Sequence, residues 1–193
     1  MIRRLKRSEL PEDTEALARY LIGKTVVHKA VSGRIVETEA YVIGDAAGHA
    51  YRGPTPRNHS LFLKLGHAYV YVVYGRLKLL NVSSERAGVG AGVLIRALEP
   101  IEGVAIMQRR RGTSQLRDLT RGPGCLTVAI GVSMRHDGVD LCNGGPLWLG
   151  SAAKPAGPIG ISVRIGLTRE AHRRLRFYER GNPFVSGPRR LNA

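Results

Sequence analysis

The spacing of apolar and polar residues changes several times along the chain, and each change predicts an element. Residues 11–22, PEDTEALARYLI, set Leu17 and Leu21 four apart behind Pro11 and a group of acids. That is the pattern of an amphipathic helix, with Gly23 placed to end it. Residues 25–29 are β-branched, and Ser32-Gly33 predicts a turn into a second strand, RIVETEAY, at 34–41. AYVYVVY at 68–74 alternates most strongly of all, with Tyr69, Tyr71 and Val73 on one face and Val70, Val72 and Tyr74 on the other. Gly75-Arg76 reads as a tight turn, and 77–82 returns as the partner strand. VLIRAL at 93–98 is a further strand that Pro100 ends. Residues 101–111 read as a helix whose last turn, Arg109 to Arg111, suits the helix dipole. RGPGC opens another helix that runs to Ile130. Strands at 147–149 and 159–166 follow, and RFYERGNPFVS reads as a strand, a turn and a docked terminus.

Two stretches break this rhythm. Residues 44–66 form a long connection rich in Gly, Pro, Asn and His, stiffened by Pro54 and Pro56. Loops of that length in a compact domain are functional or disordered, and the prolines favour function. Arg52, Arg57, Asn58 and His59 suit phosphate contacts there, although an exposed basic loop explains them equally well. GVGAG at 88–92 is glycine-rich but lacks the dinucleotide-binding spacing, so it reads as a flexible turn.

The strand at 34–41 carries the most suggestive chemistry. Strict alternation puts Ile35, Glu37, Glu39 and Tyr41 on one face and Arg34, Val36, Thr38 and Ala40 on the other. Two carboxylates beside an aromatic ring are where a general base under a bound planar group is sought. The alternative is a solvated face with the glutamates paired to surface arginines. Arg96 interrupts an apolar strand and must be paired or line a wet cleft, because an unpaired buried guanidinium is costly. Asn81 is polar where an apolar residue would serve. Tyr74, at the lip of the predicted hairpin, has the shape of a wedge for a base stack.

Composition narrows the class. A chain of 193 residues with 43% hydrophobic content is expected to fold as one domain, 1–193. No apolar run reaches membrane-span length and the start lacks a signal-peptide core, so a soluble cytoplasmic protein is expected, nucleoid-associated in a bacterium or nuclear in a eukaryote. Cys125 and Cys142 sit in no CxxC pair and are expected as reduced thiols. Thirty basic residues against fifteen acidic give +15, an excess whose self-repulsion a polyanionic partner offsets. Nucleic acid leads, since no basic amphipathic helix or lipidation motif points to a membrane. P-loop, dinucleotide, clustered-cysteine, HxxxH, helix-turn-helix and zinc-finger patterns are all missing. What remains is a carboxylate beside aromatics and an arginine in a basic domain, fitting nucleic-acid hydrolysis or inert binding.

RIVETEAY, GHA, TPRN, YVYVVYG, NVSS and VLIRALEP occur in this order and spacing. Taken together they resemble the alkyladenine (3-methyladenine) DNA glycosylases of the mammalian type, over nearly the whole chain. The resemblance implies an α+β fold, a curved antiparallel sheet surrounded by helices with a protruding hairpin that enters DNA. It implies a partner, double-stranded DNA containing damaged purines, and a reaction in which the damaged nucleotide is flipped out and its N-glycosidic bond hydrolysed. No metal or cofactor is implied, and a monomer suffices. Residue by residue, Glu39 matches the base that deprotonates the attacking water, Arg96 the arginine holding water and carboxylate, and the Ile165 carbonyl a third partner. Tyr41 and Tyr71 match the rings that sandwich the base, His49 its edge partner, Asn81 the side chain obstructing normal guanine, and Leu94 the pocket wall. Tyr74 matches the wedge, and Arg57, Asn58 and Arg76 are expected on the DNA side. A non-catalytic damaged-DNA or RNA binding protein is the competing expectation.

These roles are physically coherent. Flipping costs a few kcal/mol of unstacking, and aromatic stacking returns about 1–3 kcal/mol per base. A purine alkylated at N3 or N7 is already cationic, so it leaves readily and favours electron-rich rings. Glu39 must be ionised to act; burial raises its pKa and Arg96 lowers it, and sequence leaves the winner open. No lysine matches a Schiff-base nucleophile, so hydrolysis without strand cleavage is expected. Cys125, Leu61 and Leu65 depart from the family pattern, as does the return strand around Leu77, which bears on the hairpin and the damage spectrum.

Overall fold

In the computed structural model, which describes residues 2–152 and 154–192, a single antiparallel sheet organises the chain. Its strands are β1 Thr25–His28, β2 Val31–Tyr41, β3 Ala68–Val73, β4 Leu77–Ser83, β5 Gly92–Glu102, β6 Leu147–Gly150, β7 Ile159–Ser162 and β8 Arg176–Glu179. The order is β3-β4-β5-β2-β1-β6, with β8 also pairing β2 and β7 pairing β8. Three helices, α1 Thr14–Leu21, α2 Val104–Arg111 and α3 Pro123–Ile130, pack against it. The expected α+β class and antiparallel sheet are both present, and among the described residues no helix is long and apolar enough to cross a membrane.

β2 is the spine. It pairs with β5 along its length on one side, and with β1 and then β8 on the other. Strict alternation along it fails, because the ladder with β5 shifts three times, once between Ser32 and Gly33 and twice between Ile35 and Thr38. Ile35 faces Leu98 while Glu37 faces Ala97, leaving Val36 extra on β2; Thr38 then faces Ile95, leaving Arg96 extra on β5. Bulges of this kind re-aim side chains. Val31, Ile35 and Ala40 thus enter the main core, and Thr38 reaches α1, its hydroxyl donating to the Ala18 carbonyl at 2.9 Å. Val36 joins a separate small cluster with Ala97, Tyr178 and Val185. Ile35 therefore does not share a face with Glu37, contrary to the simple period-two reading. Neither glutamate is solvated, since Glu37 and Glu39 are both 0% exposed.

Element boundaries moved for identifiable reasons. α1 starts at Thr14 because Asp13 caps it, accepting from the Ala16 amide at 2.7 Å. The β1–β2 turn falls at Lys29-Ala30, where Lys29 takes φ +56°, and Ser32-Gly33 lies inside β2. Pro100 does not end β5, which passes through it at the irregular Gly33 and Ser32 pairings. β7 stops at Ser162, freeing 163–166 to turn toward β2. In the β3–β4 hairpin the central turn residues are Tyr74 and Gly75, both with positive φ (50° and 68°), and the Arg76 amide donates to Val73 O at 3.2 Å. Positive φ at both central residues marks a turn of the primed type, here followed by Arg76 before Leu77 pairs with Val73, and tyrosine rarely adopts it. Both cysteines are free.

The spine is fastened to β8 by charge. Arg34, 1% exposed, donates to Glu99 at 2.9 Å and to both oxygens of Glu179. Burial pushes the Glu179 carboxyl up, but Arg34, the Gly157 amide and Asn182 outweigh it and hold it down at about 2. A depressed carboxyl binds its proton more weakly in the folded state than in the unfolded chain. Its stabilisation is therefore complete above the ordinary value of 4.5 and disappears as pH falls through about 2. Melting followed by circular dichroism should accordingly show a falling midpoint across that window, and Glu179→Gln should lower the midpoint at neutral pH while flattening the acid drop.

Candidate active site

A row of cross-strand neighbours runs over one face of the sheet: Tyr69 opposite Asn81, Asn81 opposite Leu94, Leu94 opposite Glu39, and Glu39 opposite Arg176. Directly opposed residues place their Cβ atoms about 4.5–5.5 Å apart, so residues far apart in sequence share one strip. Above it opens a pocket with about 610 Å³ of empty space, mouth included, walled by Tyr41, His49, Tyr69, Tyr71, Asn81 and Leu61 among others.

The carboxylate end is dense. Glu39 Oε1 accepts the Ile165 amide at 2.7 Å and lies 3.3 Å from Arg96 Nη1, while Oε2 accepts the Tyr41 hydroxyl at 3.0 Å. Glu37 Oε1 accepts Nε of both Arg176 and Arg96, at 2.7 and 2.9 Å, and its Oε2 accepts the Ser186 amide at 2.6 Å. The two carboxyls are consequently unequal. Burial pushes Glu37 up, but the Arg96 and Arg176 guanidiniums outweigh it and hold the group below its ordinary value. For Glu39 burial wins over Arg96 and the Ile165 amide, and the neighbouring Glu37 charge adds to it, so its pKa is raised. Such a carboxyl is a better base than an ordinary one, provided the pH lies high enough to ionise it.

The aromatic walls are braced from behind. Arg164, its side chain 0% exposed, lies 4.6 Å from the Tyr41 ring centroid and is itself held by Asp45 and the Ala40 carbonyl. One face of Tyr41 is thereby occupied, leaving the other for a ligand. Tyr71 stacks on Tyr69 at 5.2 Å and meets the His49 ring edge-on at 4.4 Å. Burial, with the Glu39 charge behind it, pushes the Tyr71 phenol up to about 12, so it stays protonated. His49 Nδ1 lies 2.8 Å from the Tyr69 hydroxyl, and burial, then Arg57, lower its pKa and keep the ring neutral. Gly90 closes the far wall: a Cβ there would stand 2.5 Å from the Phe62 ring and one on Gly92 2.8 Å from Leu61, so 90–92 is closely packed while Gly88 stays exposed with open space around it.

Several of the expected site residues stand elsewhere than the sequence pattern implies. Glu39, Arg96 and Leu94 do not line the pocket; Glu39 stands one hydrogen bond behind the wall, through Tyr41, and Leu94 is 3% exposed between Asn81 and Glu39. Ile165 touches Glu39 through its amide. Asn81 lines the pocket, with its Nδ2 donating to the Tyr69 carbonyl at 3.2 Å. Tyr74 is 91% exposed at the hairpin tip beside an exposed Arg76. Arg57 is exposed and donates to the Val72 carbonyl at 3.3 Å. Asn58 is not offered to a phosphate: it is buried, Oδ1 accepts from the Thr55 amide and hydroxyl, and Nδ2 donates to the His49 and Gly53 carbonyls. Cys125 accepts from Arg111 at 3.1 Å. Tyr69, Asp45, Arg164 and Arg176 were missed. Arg176 opens the short strand RFYE rather than interrupting an apolar run as Arg96 does, so no local pattern marks it.

Residues 8–183 match the family model of methylpurine-DNA glycosylase. A candidate 3-methyladenine DNA glycosylase of Mesorhizobium japonicum is 63% identical over 191 residues, covering 97% of this chain and 92% of the relative. One from Paraburkholderia phytofirmans is 53% identical over 97% of this chain and 90% of its own length. A third, from Methanoculleus marisnigri, is 45% identical over 90% of this chain and 94% of its own. These organisms are bacterial and archaeal, so the family is matched without the mammalian qualifier.

Asn58→Ala, by stripping four hydrogen bonds from the loop that carries His49, is expected to destabilise the fold by about 1–3 kcal/mol. Denaturant midpoints would reveal that loss, while the salt dependence of nucleic-acid binding should keep the wild-type slope; a reduced slope would return Asn58 to the phosphate-contact role.

Proposed function

This chain belongs to the methylpurine-DNA glycosylase family and is an N-glycosyl hydrolase of DNA repair, and on that footing we propose that Glu39 activates the water that cleaves the bond of a flipped-out purine. The observation that carries the proposal is the Glu39 carboxylate itself. It is buried, tethered to Arg96 at 3.3 Å and to Tyr41 at 3.0 Å, and sits directly behind a pocket walled by Tyr41 and Tyr71. A carboxylate oxygen has two acceptor positions, and Oε2 accepts from Tyr41 alone among the described residues. Its second position takes the water, with Arg96 and the Ile165 carbonyl as further partners. The water loses its proton to Glu39 as it closes on the sugar C1′, and the electron pair of the breaking bond leaves with the base. An abasic site remains.

Alkylated and deaminated purines in double-stranded DNA are the proposed substrates. A cationic N3- or N7-alkylpurine needs no acid to leave, which agrees with the neutral His49. Its positive charge favours stacking on the free face of Tyr41 and on Tyr71. His49 hydrogen-bonds the base edge, and Asn81 obstructs the exocyclic amino group of an undamaged guanine. Tyr74, exposed at the hairpin turn, fills the vacated stack, and Arg57 and Arg76 meet phosphates. None of the described lining residues is a lysine, which supports hydrolysis without strand cleavage. A monomer acting on DNA in the cytoplasm is sufficient for these steps.

Excision is scored on duplexes holding one defined lesion, with alkali revealing abasic sites on a gel. Glu39→Gln is expected to bind the damaged duplex while losing about 10²–10⁴-fold in base release. Equal activity of wild type and variant would reject the mechanism, and an inactive wild type that still binds would favour a pure damage-binding protein. Tyr74→Ser should weaken binding to lesion-containing duplex more than to plain duplex; equal losses would remove the wedge role.

A further inference from the structure

Among the described residues, four buried arginines, Arg34, Arg96, Arg164 and Arg176, meet four buried carboxylates, Glu37, Glu39, Asp45 and Glu179. Most of these contacts brace the sheet or the aromatic walls. Glu37 stands apart, because it touches the guanidinium that also faces Glu39. We propose that Glu37 is a positioning residue for Glu39: by sharing one oxygen between Arg96 and Arg176 it fixes Arg96 and draws part of its charge away from the catalytic carboxylate. The inference rests on the reading of Glu39 as general base.

The distances support this division. Arg96 Nε reaches Glu37 at 2.9 Å, but its Nη1 stops 3.3 Å from Glu39, so the closer bond is to the residue that does no chemistry. Glu37 in turn is immobile. Its second oxygen holds the Ser186 amide, and its other guanidinium, Arg176, is saturated. Arg176 Nε donates to Glu37, Nη1 to the Ser162 hydroxyl and the Leu191 carbonyl, and Nη2 to the Ser186 carbonyl and Asn192 Oδ1. All five guanidinium N–H groups are thereby matched to acceptors. Arg96 also sits at the bulge on β5, so the backbone that aims it is paired across from Glu37.

The groups facing Glu39 come from every neighbouring element: Glu37 and Tyr41 on β2, Arg96 on β5, Tyr71 on β3, Arg176 opposite it on β8, and the Ile165 amide from the loop after β7. Were Arg96 wholly committed to Glu39, the pair would neutralise itself and leave a weak base. With Glu37 competing, Glu39 remains ionisable yet basic, in line with the lowered Glu37 and raised Glu39 pKa values.

Single-turnover excision of a methylated duplex, measured across pH, tests this. Glu37→Gln releases Arg96 to Glu39, so the acid limb of the profile should move to lower pH while the plateau rate falls roughly three- to tenfold. Glu37→Asp, which keeps the charge, should move the limb back toward wild type. A Glu37→Gln profile with a lower plateau and an unmoved limb would mean a merely structural residue and overturn the proposal. Should Glu37→Gln not fold, carbon-13 titration of the glutamate carboxyls in the wild-type protein decides, with Glu39 assigned by its loss in Glu39→Gln. Glu37 should remain ionised at pH values where Glu39 is already protonated; the reverse order would overturn the proposal. An inactive wild type would defeat the general-base reading instead, and the carbon-13 order would still judge Glu37.

Discussion

Four charged side chains, Glu37, Glu39, Arg96 and Arg176, are buried together within one sheet, and their mutual pairing constrains everything around them. Ions removed from water are tolerable only when every donor and acceptor finds a partner. That requirement explains the saturated Arg176, the Ser186 amide turned onto Glu37 and the loop after β7 brought down so that the Ile165 amide meets Glu39. It also explains the paired irregularities of β2 and β5. Without Val36 and Arg96 left out of register, Glu37 would point into the apolar core beside Ile35.

On this buried floor the protein builds walls of graded exposure. Tyr41 is clamped between Arg164 and Glu39, and Tyr71 is stacked on Tyr69. The 44–66 loop has no regular strand, yet Asn58 knits it internally and Asp137 ties it to the edge of the sheet, accepting from Ser60 and the Val70 amide. At the other extreme the β3–β4 hairpin goes from buried at Ala68 to 91% exposed at Tyr74. A non-glycine residue at positive φ costs conformational energy, and such strain persists where a side chain must be presented in one direction. Because the buried carboxylates and buried arginines cancel in number, the +15 excess lies on the outside, where a polyanion can meet it.

Much of this was legible in the residues. The helix at Leu17 and Leu21, the AYVYVVY hairpin, the helix after RGPGC and the strand at RFYE all follow from period, turn chemistry and glycine placement. What misled was locally reasonable: Pro100 ends most strands, and Ser32-Gly33 resembles a turn. Both fall where β2 and β5 are irregular, and a bulge leaves no mark in the period of either strand alone. Asn58 was legible as polar and loop-borne, but whether its amide faces outward depends on carbonyls at 49 and 53 that the loop must first bring close.

The sequence alone determined that a basic α+β chain carries Glu39 and Tyr41 on one strand face, Tyr71 on another strand and Tyr74 at a hairpin lip, because periodicity and motif order are properties of neighbouring residues. Only the tertiary structure decided that Arg96 and Arg176 share Glu37, that burial outweighs Arg96 at Glu39, and that Arg164 backs Tyr41. Those outcomes depend on distances of a few ångströms between groups far apart in the chain, 59 residues for Glu37 and Arg96 and 139 for Glu37 and Arg176. Coulomb energy and desolvation change steeply over such distances, and no local pattern encodes them.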